Sequence, residues 1–252
     1  MSLAAPQLRV HDLGLSPAEL IRTFKDCIQQ QNAELIDRFR AGTPAAELIG
    51  ARSDFMDDIL ATAWRHFLGA DAERFALVAA GGYGRRELHP GSDIDILVLL
   101  DPGDADPAAT TYQPALSAFL NFLWDIGLKP AQSVRSPDDC VSLARQDQTV
   151  ITNLMEARLI LGSATLFDAL WSRIGPEHLW PTPDFFAAKM AEQAARYAKY
   201  HDTAYNLEPN VKEGPGGLRD IQSISWIIKR HYNSQTLDFC LLYTSPSPRD
   251  QR

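Results

Sequence analysis

Residues 76–100, ALVAAGGYGRRELHPGSDIDILVLL, constrain this chain more than any other stretch. Two short apolar runs flank a glycine turn, and two aspartates one residue apart lead into the second run. Apolar runs of this length bounded by turn residues read as buried strands. Side chains alternate along a strand, so Asp93 and Asp95 project from one face while Ile94 and Ile96 point to the other. The frame is strand, glycine turn, strand, with two carboxylates held side by side at the edge of a buried sheet.

Two anions this close repel unless a cation sits between them, and hard oxygen ligands select magnesium over a softer metal. A divalent ion carrying a nucleoside triphosphate satisfies both demands. Gly81 and Gly82 lack a Cβ, which lets backbone amides come close to a phosphate chain. Arg85 and Arg86 offer guanidinium forks to the same oxygens. The connection from Gly82 to Asp93 is long enough to fold back over a bound nucleotide. A lone Gly-Gly is usually a turn and a lone Asp-x-Asp usually a solvated pair; the specificity lies in having both, in this order, on one frame. His89, in the same loop and ahead of a proline, reads as polar surface rather than as a general base.

Around this frame the pattern is helical. SPAELIRTFKDCIQQQNAELIDRF opens with a capping box at Ser16, Pro17 and Glu19 and sets Leu20, Phe24, Ile28, Leu35 and Phe39 on one face. A second helix starts at Thr43 and Pro44, aligns Met56, Ile59, Leu60, Ala63 and Phe67, and stops at Gly69. After the second strand, Leu116, Phe119, Leu120 and Leu123 are spaced as a helix, and KPAQSVRS reads as a third, shorter strand. SPDDCVSLARQ, TVITNLMEARLILG, SATLFDALWSRIG and a long segment opened by Thr182 and Pro183 all read as helices. The polar, glycine-rich NLEPNVKEGPGGLRD precedes a last helix, IQSISWIIKRHY. The aromatics of FLNFLW and the pair Tyr197 and Tyr200 fall at helical spacings and read as core. The expected class is α/β (α+β): a small mixed sheet with N-terminal helices and a C-terminal helical extension. The expected boundaries are an N-terminal helical segment at 1–72, the sheet-bearing core at 73–165 and the helical extension at 166–239.

With 252 residues, 45% of them hydrophobic, the chain has room for a buried core. A formal net charge of −8 argues against a chain-wide electrostatic grip on nucleic acid or an anionic membrane. No apolar run approaches the roughly 18 residues of a membrane span, and the N-terminus lacks a signal-like apolar core, so a cytoplasmic location is expected. Cys27, Cys140 and Cys240 are too widely spaced for a disulfide framework or a zinc site and read as reduced thiols. Residues 240–252 follow no helical face, and one back-translation of 240–250 reads as a transposase sequencing adapter. That segment is expected to be an adapter-derived artefact and is left out of the fold reading.

Gly81, Gly82, Asp93 and Asp95 resemble the glycine pair and Asp-x-Asp signature of the DNA polymerase beta-like nucleotidyltransferase superfamily. The longer string GGYGRRELHPGSDIDIL, with NLMEARLILG and NLEPNVKEGPGGLRDIQ, resembles the bifunctional uridylyltransferase/uridylyl-removing enzymes across most of residues 15–239. The resemblance implies transfer of UMP from UTP to a tyrosine hydroxyl of the nitrogen-regulatory protein PII. Magnesium would sit on Asp93 and Asp95, and the nucleotide would be held by Gly81, Gly82, Arg85, Arg86, Ser92, Lys212 and Arg219. On their own chemistry, Lys212 and Arg219 read either as closing over the triphosphate or as a helix-to-helix turn in which Arg219 makes a structural ion pair. The superfamily adds a third carboxylate from a later strand. AQSVRS offers none, which leaves Asp125, Asp147 and Glu156 as unranked substitutes. The family's uridylyl-removing and glutamine-sensing domains do not fit before residue 239, so neither activity is expected here. Two further readings stay open: a related nucleotidyltransferase with another acceptor, and a module that binds nucleotide without turnover.

Overall fold

The computed structural model describes residues 15–101, 103, 112–200 and 208–234; the expected artefact at 240–252 lies outside them. In chain order the elements are α1 (Pro17–Arg40), α2 (Ala45–Leu68), β1 (Ala76–Ala79), α3 (Gly81–Gly84), β2 (Ile94–Leu99), α4 (Gln113–Asp125), β3 (Pro130–Arg135) and α5 (Pro137–Gln146). They continue with α6 (Gln148–Met155), β4 (Arg158–Gly162), α7 (Ala164–Trp171), α8 (Thr182–Lys199) and α9 (Leu218–Tyr232). Two compact units result, Met1–Cys140 with Glu156–Leu170, and Val141–Met155 with Trp171–Arg252. No helix among the described residues is long and apolar enough to cross a membrane.

The first unit is built on a sheet of strand order β3-β2-β1-β4, in which β1 is antiparallel to both β2 and β4 while β2 runs parallel to β3. The mixed α/β class read from the sequence is borne out. One sheet face carries Leu77, Ala79, Ile94, Ile96 and Val98 and shares a core with Phe24, Leu60, Ala63, Trp64, Phe119 and Phe122. Trp64 meets Phe119 edge to face at 5.1 Å, and Phe24 meets Phe122 likewise at 5.0 Å. The Trp64 indole also finds a partner, donating to the Ala72 carbonyl at 2.9 Å. Each such large side chain stabilises the fold by roughly 1.5–3 kcal/mol when buried. The two N-terminal helices are therefore half of the sheet's own core. By alternation Asp95, Leu97 and Leu99 belong to the opposite face.

Local signals explain most element ends. Ser16 and Glu19 form the expected reciprocal capping box at the start of α1. Thr43 does not cap α2: the helix begins at Ala45, and the preceding Pro44 offers no side-chain acceptor. A larger correction concerns TVITNLMEARLILG, whose expected single helix is split into α6 and β4. The apolar run Leu159, Ile160, Leu161 satisfies its backbone by pairing with β1, a tertiary gain that outweighs weak helical periodicity. Gly162 ends the strand at φ +96°, where a Cβ would lie 2.0 Å from the Phe75 carbonyl oxygen.

Cys140 is fully buried, and burial pushes its thiol up to about 11. Because the thiolate is the reactive form, iodoacetamide near pH 8 should spare Cys140 in the folded chain and modify it once the chain unfolds, as mass spectrometry of the alkylated peptides will show.

The second unit is organised by buried charge. Lys189 is 2% exposed, lies over the rings of Phe185 and Trp226, and pairs with Glu192 at 2.8 Å. The Arg230 guanidinium is spent on the carbonyls of Trp180, Ile174 and Gly175. Asp220 accepts hydrogen bonds from Arg196, Tyr197, Gln193 and the Gly216 amide, which fixes the turn before α9. Burial opposes the Asp220 charge, but these donors outweigh it and hold the carboxyl at about 2, below its ordinary 3.8. A depressed acid stabilises the fold fully above the unfolded value and loses that contribution as pH falls through the folded one. Thermal melts should therefore lose stability between about pH 4 and pH 2, and Asp220→Asn should flatten that segment of the profile.

Candidate active site

The glycine turn joins β1 to the loop that enters β2, and each glycine answers a different demand. Gly81 sits at φ +54°, and a Cβ there would lie 2.7 Å from Asp95 Oδ2. Its absence lets the Asp95 carboxylate rest against the turn, while the Ala80 amide donates to the Asp95 carbonyl at 3.0 Å. Gly84 faces backbone: a Cβ would fall 2.0 Å from the Glu156 carbonyl oxygen and 3.0 Å from that of Ala79. Gly82 is unlike both, since a Cβ would meet nothing closer than 3.6 Å. Packing within the chain leaves room for a side chain at Gly82.

Asp95 lies within β2, half-buried, and Asp93 stands exposed one residue before the strand begins, beside exposed Ser92. Strand alternation directs both aspartates to one side. Neither arginine of the loop is without a carboxylate. Arg85 Nε donates to Glu87 at 2.8 Å and lies 3.8 Å from buried Glu156, and Arg86, in the left-handed region at φ +62°, pairs with Asp54.

These contacts show what the sequence reading missed: α2 holds the loop. The buried Ser53 hydroxyl accepts from the Leu88 amide at 3.2 Å. Asp57 accepts from the Tyr83 phenol at 2.6 Å and from both terminal nitrogens of Arg158, at 2.7 and 3.0 Å. Arg158 Nε donates in turn to the Gly84 carbonyl at 3.3 Å. Burial, with the Asp57 charge adding to it, pushes the Tyr83 phenol well above its ordinary 10.0, so it stays a donor. For Arg158 burial works against the charge, yet the Asp57 hydrogen bonds outweigh it and the guanidinium is held more firmly protonated. The available signal was Ser53 and Asp57, two polar residues one helical turn apart beside the apolar stripe of Met56 and Leu60. Arg158→Met should lower the stability of the chain by about 1.5–3 kcal/mol in a denaturant titration, with Arg158→Lys recovering only part of it because the fork is lost.

The third acid remains unmatched. Register places Ala131 of β3 beside Asp95, β3 contains no carboxylate, and no cluster of three or more His, Cys, Asp or Glu is found among the described residues. Asp125 is exposed at the end of α4, and Asp147 is engaged with Thr149 in the second unit. Glu156 adjoins the glycine turn through its carbonyl and its contact with Arg85. The donor set still suits magnesium, which commonly takes one or two carboxylates and completes its shell with water and substrate phosphate.

Lys212 and Arg219 lie in the second unit. Lys212 is exposed, whereas Arg219 pairs with Glu213 at 3.1 Å and lies over the Trp226 ring.

Residues 184–241 match the GlnD PII-uridylyltransferase family, and residues 29–138 match the nucleotidyltransferase family DUF294. A bifunctional uridylyltransferase/uridylyl-removing enzyme of Methylococcus capsulatus is 57% identical over 217 residues, covering 86% of this chain and 24% of that enzyme. Enzymes of the same name from Pseudomonas fluorescens and Pseudomonas putida are 50% and 48% identical over 232 residues, covering 90% of this chain and 25% of theirs. The chain spans about a quarter of the length of the curated relatives it matches. Over most of its own length it is homologous to the bifunctional uridylyltransferase/uridylyl-removing enzymes, and it contains a nucleotidyltransferase domain.

Proposed function

We propose that this chain transfers UMP from UTP to a tyrosine of the PII protein in the cytoplasm, using Asp93 and Asp95 as the acids of the site. The observation that carries this reading is the closeness of turn and acid: Gly81 lacks the Cβ that would strike Asp95 Oδ2, so the turn backbone and a carboxylate adjoin, as a phosphate-and-metal site requires. Homology to enzymes named for uridylyl transfer supplies the nucleotide, and the PII-uridylyltransferase match supplies the acceptor.

In the reaction the acceptor oxygen bonds to the α-phosphorus, the bond to the α–β bridging oxygen breaks, pyrophosphate leaves, and the phenolic proton passes to solvent. Magnesium, when bound, neutralises the triphosphate and favours ionisation of the hydroxyl. Asp93 and Asp95 would hold it, Gly82 leaves space for the phosphates, and the Asp57–Arg158–Tyr83 network keeps the turn in place. Arg85 and Arg86 reach the phosphate oxygens only by sharing their guanidinium groups with Glu87 and Asp54.

One observation favours a second reading, nucleotide binding without turnover: β3 sets Ala131, not an acid, beside Asp95. Incubation with labelled UTP, magnesium and PII decides between them. Label on a PII tyrosine establishes transfer; bound UTP with no labelled PII establishes the binding module.

A further inference from the structure

Within the first unit, α1, α2 and residues 89–91 enclose a groove of about 580 Å³. Its walls are apolar, formed chiefly by Leu35, Ile36, Phe39, Leu48 and Ile49. Ile36 is 50% and Phe39 66% exposed, which is a large apolar surface to leave in water. Among these side chains lies Arg52. Its Nη1 donates to Asn32 at 2.6 Å, while its Nε is buried without a hydrogen-bond partner among the described residues. Burial lowers the pKa of this guanidinium from its ordinary value, and among the described residues no acid lines the groove. A partly desolvated guanidinium with no acid beside it among the described residues leaves its charge uncompensated, which favours an anion that enters the groove. The far rim leads straight to the candidate active site, because residues 89–91 continue into Ser92 and Asp93, and the Ser92 amide is tied back to the His89 carbonyl at 3.1 Å.

We propose that this groove docks the protein acceptor: a segment with apolar side chains lies along α1 and α2, sets a carboxylate on Arg52, and passes the 89–91 rim toward the two aspartates. The proposal rests on the reading of this chain as a transferase that acts on PII. A protein acceptor needs a surface of its own to hold it while one hydroxyl reaches the metal, and this groove joins apolar area, a cation with no acid beside it among the described residues and continuity with the acids.

The test measures binding apart from chemistry. Phe39→Asp alters a mostly exposed side chain and leaves the core intact; Arg52→Gln removes the groove's positive charge. Binding of PII to the 252-residue chain is followed by calorimetry, with UTP affinity in magnesium as the control. Both variants should weaken PII binding by tenfold or more and change UTP affinity less than twofold, as expected of an anchor in a desolvated pocket. Unchanged PII binding by folded variants overturns the proposal. So does a concentration-dependent dimer that Phe39→Asp abolishes, since the occupant is then a second copy. If PII binds and the variants weaken it while no chain transfers UMP, the docking surface stands and the transferase reading falls. If UMP is transferred and the variants change nothing, the reverse holds.

Discussion

Asp95→Asn is expected to lower UMP transfer by about a thousandfold while leaving the fold intact, which corresponds to about 4 kcal/mol of lost transition-state stabilisation. Asparagine keeps the size of the side chain and the strand backbone that accepts the Ala80 amide. What it loses is the anion that, on the proposed reading, would hold a divalent ion against the triphosphate. Asp93→Asn should follow in the same direction, and its exposure before β2 makes a stability effect smaller still. The measurement is labelled transfer to PII across a magnesium titration, with melting temperature alongside. Transfer by the double variant at more than a tenth of the unmodified rate would place the acids of the reaction elsewhere in the chain.

The frame of the site was legible because its signals are local. Apolar runs, a glycine turn and Asp-x-Asp define strand, turn and strand within one segment, and the structure keeps all three. Two things were not legible, for the same reason. Residues 158–162 carry a pattern that suits a helix by spacing, and only the vacant edge of β1, 79 or more residues earlier in the chain, makes them a strand. Likewise nothing near Tyr83 in sequence announces Asp57 or Arg158. Tyr83 lies 26 residues and Arg158 101 residues from Asp57; packing closes both separations, and only then does Asp57 become the shared acceptor. Arg85 and Arg86 show the converse: their type invited a phosphate role, but type alone could not reveal the carboxylates of Glu87 and Asp54 beside them.

Gly84→Ala is expected to cost about 3 kcal/mol or more and to disable the turn, whereas Gly82→Ala, two residues away, is expected to fold normally. At Gly84 the obstacle is the Glu156 carbonyl oxygen at 2.0 Å from the added methyl, with the Ala79 carbonyl at 3.0 Å on another side. Both are backbone atoms, one just before β4 and the other closing β1, so neither can step aside without breaking the pairing of those strands. At Gly82 the nearest atoms, at 3.6 and 3.7 Å, make ordinary contact, and alanine favours the short helix by about 1 kcal/mol. Any defect in Gly82→Ala must then come from what approaches the turn from outside. Its expected signature is a melting temperature at or above the unmodified chain with a KM for UTP raised tenfold or more, because a methyl group would stand where the proposed function brings phosphate oxygens to the backbone amides. A Gly82→Ala chain that folds and also binds UTP normally would remove the turn from the nucleotide site, and would leave Asp93 and Asp95 to hold the triphosphate through the metal alone.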